Sequence, residues 1–374
     1  MGDADGNIDQ TAPLQWTYDV VTYATMRFVD DEPITVGGGN FHTIPNVSEN
    51  YYDSYGRSIS ISRSNVTIKD IDHTIAKEGP TRAPYGGFLR FSYAVNLLFD
   101  NIKVQHHENR YDKGSKALLG TYEFAGSFSY NVTWQNIDQH NFFEEDGTVS
   151  YKGLFGTNYC KNFYFDNCTL TSLDAHAGVY NVWVKDSTFE HMNFIGTGII
   201  DIKNTIVYTD ATGCALNFRS DYGSTWDGEV IIDGLEYRYS KDFSNLQLIS
   251  ATYTDWWFGY TTYLPHTIKL NNVKITRYKQ STVDGVRTET PIATNDIPLL
   301  ICSYGIYNFT TTDISKLVSD GGNAQNNPYI GIKRVELTNS GNLDLRLPKT
   351  PQFADLEYYK DGVQQFNWKD HKGN

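Results

Sequence analysis

The chain has 374 residues, 40% of them apolar and 14% aromatic, with 27 tyrosines. That composition describes a folded chain with a sizeable core and excludes a disordered one. A net charge of −13, from 44 acids and 31 bases without a basic cluster, argues against nucleic acid and anionic membrane as partners, while leaving room for a local basic pocket.

The opening MGDADGNIDQ has no apolar signal region, and no later apolar run is long enough to span a bilayer. Such an abrupt acidic start fits a whole chain or a piece of a longer one. Asp3, Asp5, Asn7 and Asp9 imitate a calcium loop, but Ile8 stands where that loop needs glycine and Leu14 where it needs glutamate. The segment reads as a solvated acidic terminus. In TYDVVTYATMRFV, Val20, Val21, Ala24 and Phe28 are spaced as on a helix, with a strand as the alternative. Residues 1–55 are expected to cap the strands downstream, because the first turn of a stacked β fold exposes its core and strand edges.

A phrase then recurs: Asn or Asp, alternating apolar residues, a polar corner, another alternating stretch. It appears as NVTIKDIDH from Asn65, VNLLFDNIKVQHH from Val95, NVTWQNIDQH from Asn131, NFYFDNCTLTS from Asn162 and NVWVKDSTFEH from Asn181. It continues as IIDIKNTIVY, EVIIDGLEYRY and TIKLNNVKITRY. The step is 19 residues from Asn162 to Asn181 and 18 from Asn181 to Ile199, and longer elsewhere. A near-constant minimum step with inserted loops is the mark of a solenoid. No helix-period segment separates the strands, which excludes doubly wound α/β folds, and hairpin turns are too few for a sandwich or propeller. The sequence predicts an all-β, right-handed parallel β-helix over 56–288, with an N-terminal cap over 1–55 and irregular closing coils and a polar tail over 289–374.

The repeat also accounts for motifs of other meaning. Asn65-Val-Thr, Asn131-Val-Thr and Asn167-Cys-Thr match glycosylation sequons but read as corner residues, since Asn and Asp tolerate left-handed backbone. Cys160, Cys168, Cys214 and Cys302 form no CxxC pair, so they read as packed thiols, with Cys168 on an interior position.

In SLDAHAG, alternation puts Leu173, Ala175 and Ala177 inside and Asp174 and His176 together outside. In LNFRSDYG, it puts Phe218 and Ser220 inside and Arg219 and Asp221 outside. If these segments lie two rungs apart on one face, about 10 Å separates their backbones. Asp174 and His176 then form an acid/base pair, Arg219 binds an anion bidentately and Asp221 is a second carboxylate. Tyr159 and Phe194 would frame the patch, with Tyr222 and Trp226 alongside. Trp256, Trp257, Tyr260 and Tyr263, in TDWWFGYTTY, offer a sugar-stacking platform or a packed loop plug. Glu144, Glu145 and Asp146 read as a solvated turn. Glycoside hydrolysis, β-elimination and phosphodiester cleavage all remain open.

GTNYCKNFYFDNC, DAHAGVYN and RSDYGSTWDG resemble the pectin-lyase-like right-handed β-helix proteins, most closely those of bacteriophage tail spikes and secreted bacterial glycan-degrading proteins. The resemblance covers roughly residues 55 to 280. It implies an extracellular or virion-borne depolymerase of a bacterial surface polysaccharide or teichoic acid, and a homotrimer. The polygalacturonase and pectate-lyase catalytic motifs are absent, so no catalytic residue is carried over. No cofactor is assigned, and a divalent cation stays open. The rival reading is a non-catalytic receptor-binding module that grips the same polymer; a third is a purely structural solenoid.

Overall fold

The computed structural model describes residues 5, 7, 20–44, 59–76, 86–106, 122–143, 155–208, 214–219, 225–240, 247–251, 262–283, 286–292, 299–303, 329–330, 332–341, 343, 345–346 and 356–367. Among them the protein is all-β, with no helix, and its strands are largely parallel. The arrangement is compatible with a β-solenoid.

The recurring phrase becomes one parallel ladder. Ile34–Thr43 pairs with Val66–Ile75, which pairs with Val95–Val104, then Tyr130–Gln139, then the first half of Cys160–Ala175. The ladder continues through Val179–Lys185, Gly196–Tyr208, Trp226–Tyr239, Thr267–Asn271, Arg334–Thr338 and Glu357–Lys360. It therefore starts inside the stretch assigned to the cap and runs on past residue 288. Register stacks like on like: Val66, Leu97, Val132, Phe163, Val182, Ile200, Val230, Ile268 and Val335 form one buried column. Period-2 alternation puts their sequence neighbours on the opposite face.

A second parallel ladder carries the site. It runs Ile59–Ile61, Gly86–Ser92, Tyr122–Ser127, Phe155–Asn158, the second half of Cys160–Ala175, Thr188–Phe194, Cys214–Phe218, Gln247–Ala251 and Leu299–Ser303. Two antiparallel hairpins depart from the parallel scheme: Lys274–Val283 with Val286–Pro291, and Glu357–Lys360 with Val363–Asn367.

The corners explain the asparagines. Asn65, Asn96, Asn131, Asn162 and Asn181 all have φ between 52° and 61°, and each side-chain amide donates to the carbonyl of the one before at 2.9–3.2 Å. A second row joins Asn101 to Asp70 and Asn167 to Asn136, each at 2.8 Å. The residues of the three sequons sit in these rows, as the corner reading expects. Cys160 and Cys168 are free and buried, and Cys214 is buried. Burial pushes the Cys160 thiol up to about 11 and the Cys168 thiol up to about 12, which leaves both inert at neutral pH.

The helix-like spacing at Val20–Phe28 does not produce a helix. Residues 20–33 are irregular and, apart from the half-buried Val29, exposed. They lie against the corners by polar and cation–π contacts instead of an apolar stripe: Arg27 sits 4.2 Å over the Tyr93 ring and Asp30 is 3.6 Å from Arg63. A helix is stabilised mainly by packing its apolar face, and here Phe28 faces solvent.

Candidate functional site

Alternation puts Leu173 and Ala175 in the core and turns Asp174 away from it. Asp174 aligns with Asn193 on the next rung and, through it, with Asn217 on the one after. Arg219 lies two residues beyond Asn217, just past the end of its strand, so the two-rung relation expected from sequence is present. The guanidinium reaches back and its Nη1 donates to both carboxylate oxygens of Asp174. From the other side the Tyr122 hydroxyl donates to Asp174 Oδ2 at 2.5 Å. Asp174 thus joins three separate strand segments, and its side chain is only 7% exposed.

This changes the role read for the Asp-x-His pair. Asp174 accepts its described hydrogen bonds from Arg219 and Tyr122 and none from His176, so the two do not form a hydrogen-bonded acid/base couple. The physical reason is that the strand ends at Ala175. His176 enters a turn, its backbone amide held by the Thr157 carbonyl at 2.9 Å, and Ala177 is partly exposed instead of buried.

His176 faces a cleft of about 410 Å³ that runs across the strands. Ser62, Ser92, Ser127 and Asn158 line it, with Arg90 and Tyr122. Ser92, Ser127 and Asn158 are register partners, so one polar position repeats rung after rung. Arg90 aligns with Ser60 on one side and Ala125 on the other, and is half-buried. Among the described residues Arg90 has no ion-pair partner. Sequence reasoning missed both Arg90 and Tyr122. The signal was available for Arg90, a lone base between Leu89 and Phe91 on a strand whose neighbours are buried.

Behind Asp174 lie two further ionisable groups that alternation alone did not suggest. Glu190 is fully buried and His191 9% exposed, and Glu190 Oε2 contacts His191 Nδ1. Burial pushes the imidazole down to about 4; Asp174 opposes this and Arg219 adds to it. At neutral pH His191 is therefore uncharged.

Two aromatic expectations are corrected. Trp226 is not on the surface: it is fully buried, 6.2 Å from the Phe218 ring and 6.3 Å from Phe194, with Nε1 donating to the Gly198 carbonyl at 3.2 Å. It opens the next strand, whose inward set is Trp226, Val230 and Ile232. Phe194 is likewise core, 3% exposed. Tyr159 is on the surface, 42% exposed, beside the cleft residue Asn158. Tyr263 is partly buried. Asp221, Tyr222, Trp256, Trp257, Tyr260 and the Glu144–Asp146 cluster lie outside the described residues.

Among the described residues no group of three or more His, Cys, Asp or Glu side chains is placed to hold a metal ion. No helix among them is long and apolar enough to cross a membrane. No known protein-family model matches the chain, and no curated protein matches it.

Proposed function

We propose that the chain is a right-handed parallel β-helix of the pectin-lyase-like kind, extracellular or virion-borne, that cleaves an anionic bacterial cell-surface glycopolymer in the cleft beside His176. The observation that carries this reading is the cleft itself: a row of hydroxyl and amide groups across successive strands, lined also by Arg90 and His176. Repeated polar positions suit a repeating polar ligand. Arg90 would bind a carboxylate or phosphate of the polymer as a bidentate donor. His176 would take or deliver a proton at its imidazole, the role for which histidine is best poised near neutral pH. Asp174 is a positioning residue: it holds the hydroxyl of the cleft residue Tyr122 and pairs with the Arg219 guanidinium. These groups suit β-elimination or phosphodiester cleavage. Two-carboxylate hydrolysis would need Asp221 as partner.

The test is fragment release from purified wall teichoic acid and capsular polysaccharide. His176→Ala should lower the rate at least about 100-fold while leaving polymer binding intact. Arg90→Ala should raise KM more than it lowers kcat. Full-rate cleavage by His176→Ala overturns the assignment. One observation favours the receptor-binding alternative: no Asp or Glu is among the described residues lining the cleft. Wild-type protein that binds polymer and releases nothing would establish that alternative.

A further inference from the structure

The polar row of the cleft stops at His176. Its members follow register partners on successive rungs: Ser62 after Ile61, Ser92 after Phe91, Ser127 after Gly126, Asn158 after Thr157 and His176 after Ala175. Four steps of about 4.8 Å make a row about 19 Å long.

The next rung does not continue it. Asp174 pairs with Asn193, so Phe194 comes at the level of Ala175. Between the strand end at Phe194 and the strand start at Gly196 stands a single residue, Ile195, where His176, Ala177 and Gly178 stand one rung earlier. Ile195 is apolar and 2% exposed. The corner is drawn tight here: Gly196 has φ 152°, and a Cβ on it would collide with the Val179 carbonyl oxygen.

A charged bridge crosses the same end. Arg219 follows Phe218, the register partner of Phe194, and so stands one rung beyond Ile195. Its guanidinium reaches back over that rung to Asp174, on the strand that leads into His176. The side chain spans two rungs, about 10 Å. Among the described residues none beyond His176 lines the cleft. A polymer running straight through would leave its polar partners at Ile195 and meet the Arg219–Asp174 bridge. A chain end meets neither. The cleft volume, about 410 Å³, suits a short terminal segment better than a long run of polymer.

We infer that the cleft takes the end of a glycan chain, with the terminal unit at His176 and the rest of the chain running past Asn158, Ser127 and Ser92 towards Ser62. A chain bound in this way has units on one side of His176 only. The inference rests on the carbohydrate part of the proposed function and holds whether or not a bond is cut.

The test counts proteins per chain. Capsular polysaccharide and wall teichoic acid are each separated into fractions of known mean chain length. The fractions are titrated calorimetrically with wild type and with His176→Ala, which leaves the polymer uncut; circular dichroism reports the fold of the variant. His176→Ala should bind one protein per chain in short and long fractions alike. A number per chain that rises with length overturns the inference, because internal stretches then bind as well. Digestion by wild type gives a second readout. Engagement at chain ends releases one small product while the remaining polymer shortens slowly. A ladder of intermediate fragments from the start overturns the inference and leaves cleavage standing. One protein per chain with nothing released by wild type upholds the inference and removes cleavage. No binding of any fraction by either protein overturns both.

Discussion

At the scale of single residues, His191 makes stability depend on pH. Unfolded, its imidazole titrates near 6.5; folded, it is held down at about 4, chiefly by burial. Between those values the unfolded chain binds the extra proton. The contribution is thus fully present above about pH 6.5 and is lost as pH falls towards 4. Its full size is on the order of 3 kcal/mol. Urea unfolding at a series of pH values should show stability falling over this window, and His191→Gln should flatten that part of the curve. An unchanged slope would mean that His191 takes up its proton equally in both states.

At the scale of elements, the Asp174 cluster ties strands that no local signal joins. Tyr122 and Asp174 are 52 residues apart, and Asp174 and Arg219 are 45 apart. Asp174 is buried, so removing its cation leaves a desolvated carboxylate. Arg219→Ala should destabilise the protein by about 3 kcal/mol in urea unfolding, and Asp174→Asn combined with Arg219→Met by much less, because the pair is then removed as a unit. A full-sized loss in the double variant would show that the contact matters through packing and not charge.

The same cluster shows how much of the site was legible. Alternation along SLDAHAG gave the outward turn of Asp174, and stacking of the shortest repeats gave its meeting with Arg219. Tyr122 was not legible, because the inserted residues before it hide the phase of its strand. His176 was read as facing outward with Asp174; it lines a cleft that the sequence did not suggest and is not hydrogen-bonded to Asp174, since alternation lapses where a strand becomes a turn. Alternation misplaces Trp226, because RSDYGSTWDG reads as one outward stretch although its last residues begin a new buried strand. The parallel stacking was legible between Asn65 and the strand at Thr267, because the corner asparagines and the apolar columns repeat there; its extension to Ile34–Thr43 and to Arg334–Thr338 was not.

At the scale of the molecule, each repeat touches only its neighbours, so stability varies along the stack. Val132, Phe163, Val182 and Ile200 have ladder partners on both sides and are at most 1% exposed. Nearly every residue of Ile34–Thr43 is exposed, and this strand has a parallel partner on one side, Val66–Ile75. Hydrogen exchange followed by mass spectrometry should find amides of Ile34–Thr43 exchanging at least about 100-fold faster than those of Val179–Lys185. Uniform protection along the stack would indicate one cooperative unit.

The side-chain amides at the corners all point one way: Asn96 donates to Asn65, Asn131 to Asn96, Asn162 to Asn131 and Asn181 to Asn162. The rows therefore have a sense, like a zip fastener. Excising a complete period, corner to corner, would bring a fresh donor to a waiting acceptor and let the zip close. Excising half a period would leave both ends of the cut without a mate and turn every apolar column downstream inside out.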